Sequence, residues 1–107
     1  MEIFYNNKKY KVEISKYLKG NNPYLGIEAI NGDSLIPIAT NPKQFPSLIP
    51  YVGPKRVFIP QEILEKNPGL VDILIAAGII GSTPVLVQES INLRTQGKEV
   101  ICIYDIL

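Results

Sequence analysis

The stretch from Val57 to Gly81, V-F-I-P-Q-E-I-L-E-K-N-P-G-L-V-D-I-L-I-A-A-G-I-I-G, constrains the fold more than any other part of the chain. Val57-Phe58-Ile59 reads as a short apolar strand. Pro60 then supplies the fixed φ that suits the first turn of a helix, and Glu62 and Glu65 follow near the positive end of its dipole, which predicts a helix over residues 60–66. Asn67-Pro68 restarts helix, with Asn67 as the expected N-cap, and Gly78 is the expected left-handed stop. In the second segment, residues 68–77, Leu70, Ile73, Leu74 and Ala77 share one face, while Val71 and Ile75 widen the apolar stripe until only Asp72 and Ala76 lie outside it. Such a helix is buried against one core, or buried twice, by the core and by a partner. Double burial would suit a symmetric homodimer.

Upstream, Ile3-Phe4-Tyr5 and the alternating run Tyr10, Val12, Ile14 flank Asn6-Asn7, a pair that tolerates left-handed backbone and so predicts a β-hairpin. Leu25, Ile27 and Ala29 alternate up to Asn31-Gly32-Asp33, a second hairpin signal. Leu35 to Ala39 is the partner strand, and Pro37, lacking a ladder donor, places it at an edge or a bulge. From Asn41 to Pro54 four prolines and no apolar period predict a long loop. Pro84–Val87 and Val100–Tyr104 read as the last two strands, bridged by polar residues. The order ββββ-β-α-ββ gives a single α+β domain over residues 1–107, with a largely antiparallel sheet of six or seven strands and the helix-turn-helix segment packed on one face.

Composition limits the chemistry. Among 107 residues there is no histidine and one cysteine, Cys102. The commonest general base and metal ligand are therefore missing, and with them any Ser-His or Cys-His nucleophile. No thiolate zinc site can be built from one cysteine, and Cys102, inside V-I-C-I-Y, reads as a core hydrophobe. Glu62 and Glu65 are explained by the helix dipole. Gly78-Ile79-Ile80-Gly81 closes a helix, so it cannot cradle a phosphate at a helix start. No catalytic residue, cofactor site or metal site is expected, and the chain is not expected to be an enzyme. The first ten residues carry no apolar signal core, and the longest apolar run, Leu70–Ile80, contains Asp72 and is too short to span a bilayer. A cytoplasmic protein is the expectation.

Net charge is +1, with eight Lys/Arg and four acids in residues 1–56 against three and six in residues 57–107. Five lysines between Lys8 and Lys19 are too scattered for the dense basic stripe of a nucleic-acid binder. The surface most suited to a partner is the loop F-P-S-L-I-P-Y-V-G-P-K-R, where Phe45 and Tyr51 stand near Lys55 and Arg56, since aromatic residues with arginine are enriched at interfaces; the alternative is that its apolar groups tuck the loop onto the core.

Three segments, I-A-T-N-P-K-Q-F-P (Ile38–Pro46), R-V-F-I-P-Q-E-I-L (Arg56–Leu64) and L-V-D-I-L-I-A-A-G-I-I (Leu70–Ile80), resemble a family of short proteins encoded by plasmids, integrated elements and phages of Gram-positive bacteria. Asn41 and Pro42 are adjacent here, where that family spaces them apart. The resemblance carries no activity and no site residues. It implies a mobile genetic element as the setting, where small non-catalytic proteins bind and block host defence machinery. The expected function is thus a non-enzymatic binding protein acting by protein–protein contact, with an anti-defence inhibitor as the form this setting suggests. The alternatives are an accessory nucleic-acid binder using Lys8, Lys9, Lys11, Lys55 and Arg56, or a protein that sequesters a small molecule.

Overall fold

The computed structural model describes residues 1–107. It is an α+β domain of seven strands, all paired antiparallel. The first sheet has the order β1-β2-β3-β4, with β1 Glu2–Tyr5, β2 Lys8–Lys16, β3 Pro23–Ala29 and β4 Leu35–Pro37. The second has the order β5-β7-β6, with β5 Arg56–Pro60, β6 Leu86–Ile91 and β7 Lys98–Asp105. The strands are thus divided between two sheets, where the sequence pattern suggests one. The division falls at Thr40, which leaves β4 and reaches β5 through a single bridge, its N–H donating to the Phe58 carbonyl at 2.8 Å.

Local chemistry sets the turns. Asn6 and Asn7 take φ of 50° and 61°, the left-handed pair that matches the twist of a two-residue hairpin. β4 is a three-residue edge strand ending in Pro37. α1, Gln61–Lys66, follows Pro60 directly, and Lys66 pairs with Glu62 across one turn at 2.7 Å. Asn67 does not start the next helix. Its side chain donates to the Ile63 carbonyl at 2.8 Å, the same oxygen its backbone N–H reaches at 3.1 Å, so Asn67 closes α1, and Gly69, at φ 83°, opens α2, Leu70–Ala76. Gly78, at φ 73°, stops α2: its N–H donates to the Ile75 carbonyl and that of Ile79 to the Leu74 carbonyl, both at 3.0 Å. This is the six-to-one, five-to-two closure in which glycine avoids the Cβ penalty of left-handed backbone.

The main core lies between the inner faces of the two sheets. Ile3, Val12, Leu25 and Ile27 from the first sheet meet Val57, Ile59, Cys102 and Tyr104 from the second. α2 closes this core with Leu70 and Leu74, both fully buried, and Ile63 and Leu64 of α1 pack against it. Val71, Ile73 and Ile75 are half-buried against the same core, and the exposed residues of α2 are Asp72 and Ala76. A single core therefore accounts for the wide apolar stripe of this helix.

A smaller core lies on the other face of the second sheet, where Phe58, Ile101 and Ile103 meet Phe45 and Leu48. The segment expected as loop supplies its cover as two 3₁₀ turns, Pro42–Gln44 and Pro46–Tyr51. Each opens on a proline, whose preset φ lets a turn begin without an apolar period. Asn41 caps the first, its Oδ1 accepting from the Lys43 N–H at 3.1 Å. No helix of the chain is long and apolar enough to cross a membrane.

Candidate functional site

The aromatic and basic residues of the proline-rich segment do not form one surface. Phe45 is fully buried beneath the 3₁₀ turns, so it cannot meet a partner; it anchors the segment to Phe58, Ile101 and Ile103. Tyr51 is half-buried against the same core. Arg56 is held by the fold, donating from Nε to Asp105 Oδ1 and from Nη1 to the Tyr51 carbonyl, both at 3.3 Å. Lys55 is exposed and lines a cleft of about 270 Å³ with Ile14, Lys16 and Ile106.

The lysines near the start of the chain are likewise distributed. Lys8 pairs with Asp33 at 3.4 Å, whose carboxyl is also bound by Asn31. On the outer face of the first sheet Lys11 stands between Glu2 of β1 and Glu28 of β3, and Lys9 is opposite Phe4. Acids interleave with these cations instead of leaving a basic stripe. Cys102 is buried, and burial pushes its thiol pKa up, away from the thiolate that nucleophilic chemistry requires.

A different site emerges at β6, the outer strand of the second sheet. β6 runs four residues further than Val87, through Gln88, Glu89, Ser90 and Ile91, a stretch whose polar residues hide its strand character in the sequence. Its pairing with β7 fixes which way each residue points. The Asn92 N–H donates to the Gly97 carbonyl at 2.9 Å, continuing the ladder register, while the Leu93 N–H points outward and is received by the Gln44 carbonyl at 2.8 Å. Because bonded and non-bonded pairs alternate in an antiparallel ladder, Ser90, Gln88 and Leu86 bond to β7. Val87, Glu89 and Ile91 then direct their N–H and C=O groups away from the sheet, and these groups have no backbone partner.

The opposite edge of this sheet is obstructed. On β5 the Arg56 N–H donates to the Gly53 carbonyl at 3.3 Å, the Phe58 carbonyl receives Thr40, and Pro60 has no N–H. An exposed row of unpaired groups is the feature proteins usually suppress, and here it runs uninterrupted along one side only.

Around the free edge the surface is apolar and concave. Val87, Ile91 and Leu93 are 52%, 54% and 61% exposed, high values for side chains of this type. Beside them a groove of about 500 Å³, the largest in the molecule, runs between the strand and the start of the second 3₁₀ turn, lined by Pro46, Ser47, Gln88, Ser90, Ile91 and Lys98 among others. Ser47 Oγ and Ser90 Oγ, 3.1 Å apart, tie its two walls together.

The end of the groove is held rigid by Asn92. This side chain is buried, donating from Nδ2 to Gln44 Oε1 at 3.2 Å and Glu99 Oε2 at 2.7 Å, and its Oδ1 accepts from the Arg94 N–H at 2.8 Å. It thereby joins the β6–β7 turn to the first 3₁₀ turn. Asn92 sits in a polar run with partners up to 48 positions away, so only the fold reveals its role.

Comparison with models of known families, with curated proteins and with solved structures gave no match. Function is therefore read from the geometry of the chain itself. An edge with open donors and acceptors, apolar flanks and a preformed groove is suited to receiving extended polypeptide, the mode in which backbone bonds supply affinity and alternate side chains supply selectivity.

Proposed function

We propose that the chain is a non-enzymatic protein-binding module that engages its partner along the β6 edge. The observation that carries this reading is the run Val87, Glu89, Ile91: three outward-facing residues with unpaired backbone groups, flanked by exposed apolar side chains. The resemblance to mobile-element proteins favours a cytoplasmic setting and a component of host defence as the partner, which the protein would inhibit by occupying it. The edge lies two strands from Arg56 and toward the other end of β7, so this reading moves the contact surface away from Tyr51, Lys55 and Arg56.

The test is affinity capture from a Gram-positive lysate, followed by reconstitution with the purified candidate partner. Glu89→Pro removes one outward N–H and leaves the β6–β7 ladder intact, since Glu89 does not bond to β7. Reconstituted binding should be lost in Glu89→Pro and kept in the double variant Tyr51→Ala, Arg56→Ala. The reverse pattern would sink the proposal.

A further inference from the structure

If the protein binds its partner along β6, as proposed above, the edge also specifies the chemistry of the segment it takes, and that specification rests on the protein-binding reading. Alternation along β6 puts the side chains of Val87, Glu89 and Ile91 on one face, opposite Cys102, Val100 and Lys98 of β7. The edge thus presents apolar, acidic, apolar at successive outward positions. The three ion pairs of the molecule involve other residues, so the Glu89 carboxylate is uncommitted.

This pattern discriminates between occupants. A second copy pairing antiparallel through its own β6 satisfies all three outward residues in one register only, Val87 opposite the second copy's Ile91 and Glu89 opposite its own counterpart. That places two carboxylates across a bonded pair whose Cα atoms are about 5.5 Å apart, and like charges directly opposite are destabilising. Glu89 thereby acts against self-pairing, as inward or central charges do on other natural edges. The same residue attracts a cation.

We infer that the β6 edge takes an extended segment of a partner protein as an antiparallel fourth strand, with the alternation apolar–x–basic–x–apolar. The Lys or Arg sits opposite Glu89 and the apolar side chains opposite Val87 and Ile91. The intervening positions face Gln88, Ser90 and Ser47 in the groove and suit small polar side chains such as threonine. Lys98, adjacent to Ile91 on the same face, opposes a second cation at that end, which fixes the basic residue at the centre of the segment.

The test uses the full chain, ¹⁵N-labelled, titrated with two capped synthetic peptides, Thr-Val-Thr-Lys-Thr-Val-Thr and the same sequence with Glu at the centre. The lysine peptide should shift the amides of Val87, Glu89 and Ile91 most and bind about fivefold or more tightly than the glutamate peptide. Glu89→Lys should reverse the order of the two peptides, and Glu89→Pro should abolish binding of both. Equal affinities, or shifts centred away from β6, would overturn the inference. If neither peptide binds, the proposed segment is wrong, whereas the protein-binding reading stands or falls separately with Glu89→Pro in the reconstituted complex.

Discussion

Asn92→Ala probes whether the groove is held by one buried amide. In the native fold the side chain makes three bonds of good length: to Gln44 at 3.2 Å, to the Glu99 carboxylate at 2.7 Å and from the Arg94 N–H at 2.8 Å. A neutral bond contributes about 1 kcal/mol net and one to a charged acceptor about 1.5 kcal/mol or more. The Thr95 N–H, at 3.4 Å, adds little. Some compensation by water entering the vacated space brings the expected loss to about 3 kcal/mol. With a urea slope of about 1.5 kcal/mol/M for a domain of this size, the unfolding midpoint should fall by about 2 M. Asn92→Asp keeps the acceptor but turns a carboxylate oxygen toward Glu99. Like charges raise carboxyl pKa values in the folded state, so the stability lost at neutral pH should return as pH falls below about 4 to 5. A loss below about 1 kcal/mol in Asn92→Ala, or no pH-dependent recovery in Asn92→Asp, would refute the assignment of Asn92 as the anchor.

Gly78→Ala forces a Cβ into left-handed backbone where no neighbour lies within 4 Å, so the cost is conformational alone, about 1 kcal/mol by equilibrium unfolding. Tyr17 has its hydroxyl pKa raised by burial and by the nearby Tyr24, whose ring meets it edge-on at 5.4 Å; the Tyr24 pKa is raised by burial and by Glu13. The folded state therefore keeps protons that the unfolded chain releases near pH 10, so stability present below about pH 10 should decline above it, and Tyr17→Phe should make the decline shallower in urea titrations at about pH 8 to 11. Glu89→Gln removes the charge that opposes self-pairing, and sedimentation should show more dimer than in the unsubstituted chain at equal concentration; equal distributions would argue against that role.

Elements governed by neighbouring residues are readable from the sequence. The Asn6-Asn7 hairpin, the α1 start after Pro60 and the Gly78 stop depend on the φ preferences of one or two residues, and each is found in place. Asn67 is legible as a cap but not as to which helix it caps, because the choice depends on whether its side chain turns back to Ile63. Features set by distant partners are hidden. Strand patterns do not state which strands pair, so the split into two sheets is not visible in them. Whether Phe45 faces a partner or tucks onto the core is not decided in the sequence, because Phe58, Ile101 and Ile103, which bury it, are brought there only by folding. Gln88–Ile91 lacks apolar alternation, being an edge strand whose neighbour β7 defines it. The candidate site is made almost wholly of such residues, while the aromatic and basic residues that stand out in the sequence serve mainly to hold the fold.

The obstructed edge at β5 has a consequence for assembly. A sheet that can be extended from both sides propagates, each added strand offering a new template to the next molecule. With Thr40, Gly53 and Pro60 sealing one side, the three-stranded sheet of this protein can be extended from the β6 side alone. Copies therefore cannot stack β6 on β5: through this sheet they can meet only β6 to β6, an arrangement that closes at two molecules, so the pairing is not passed on to a chain of copies.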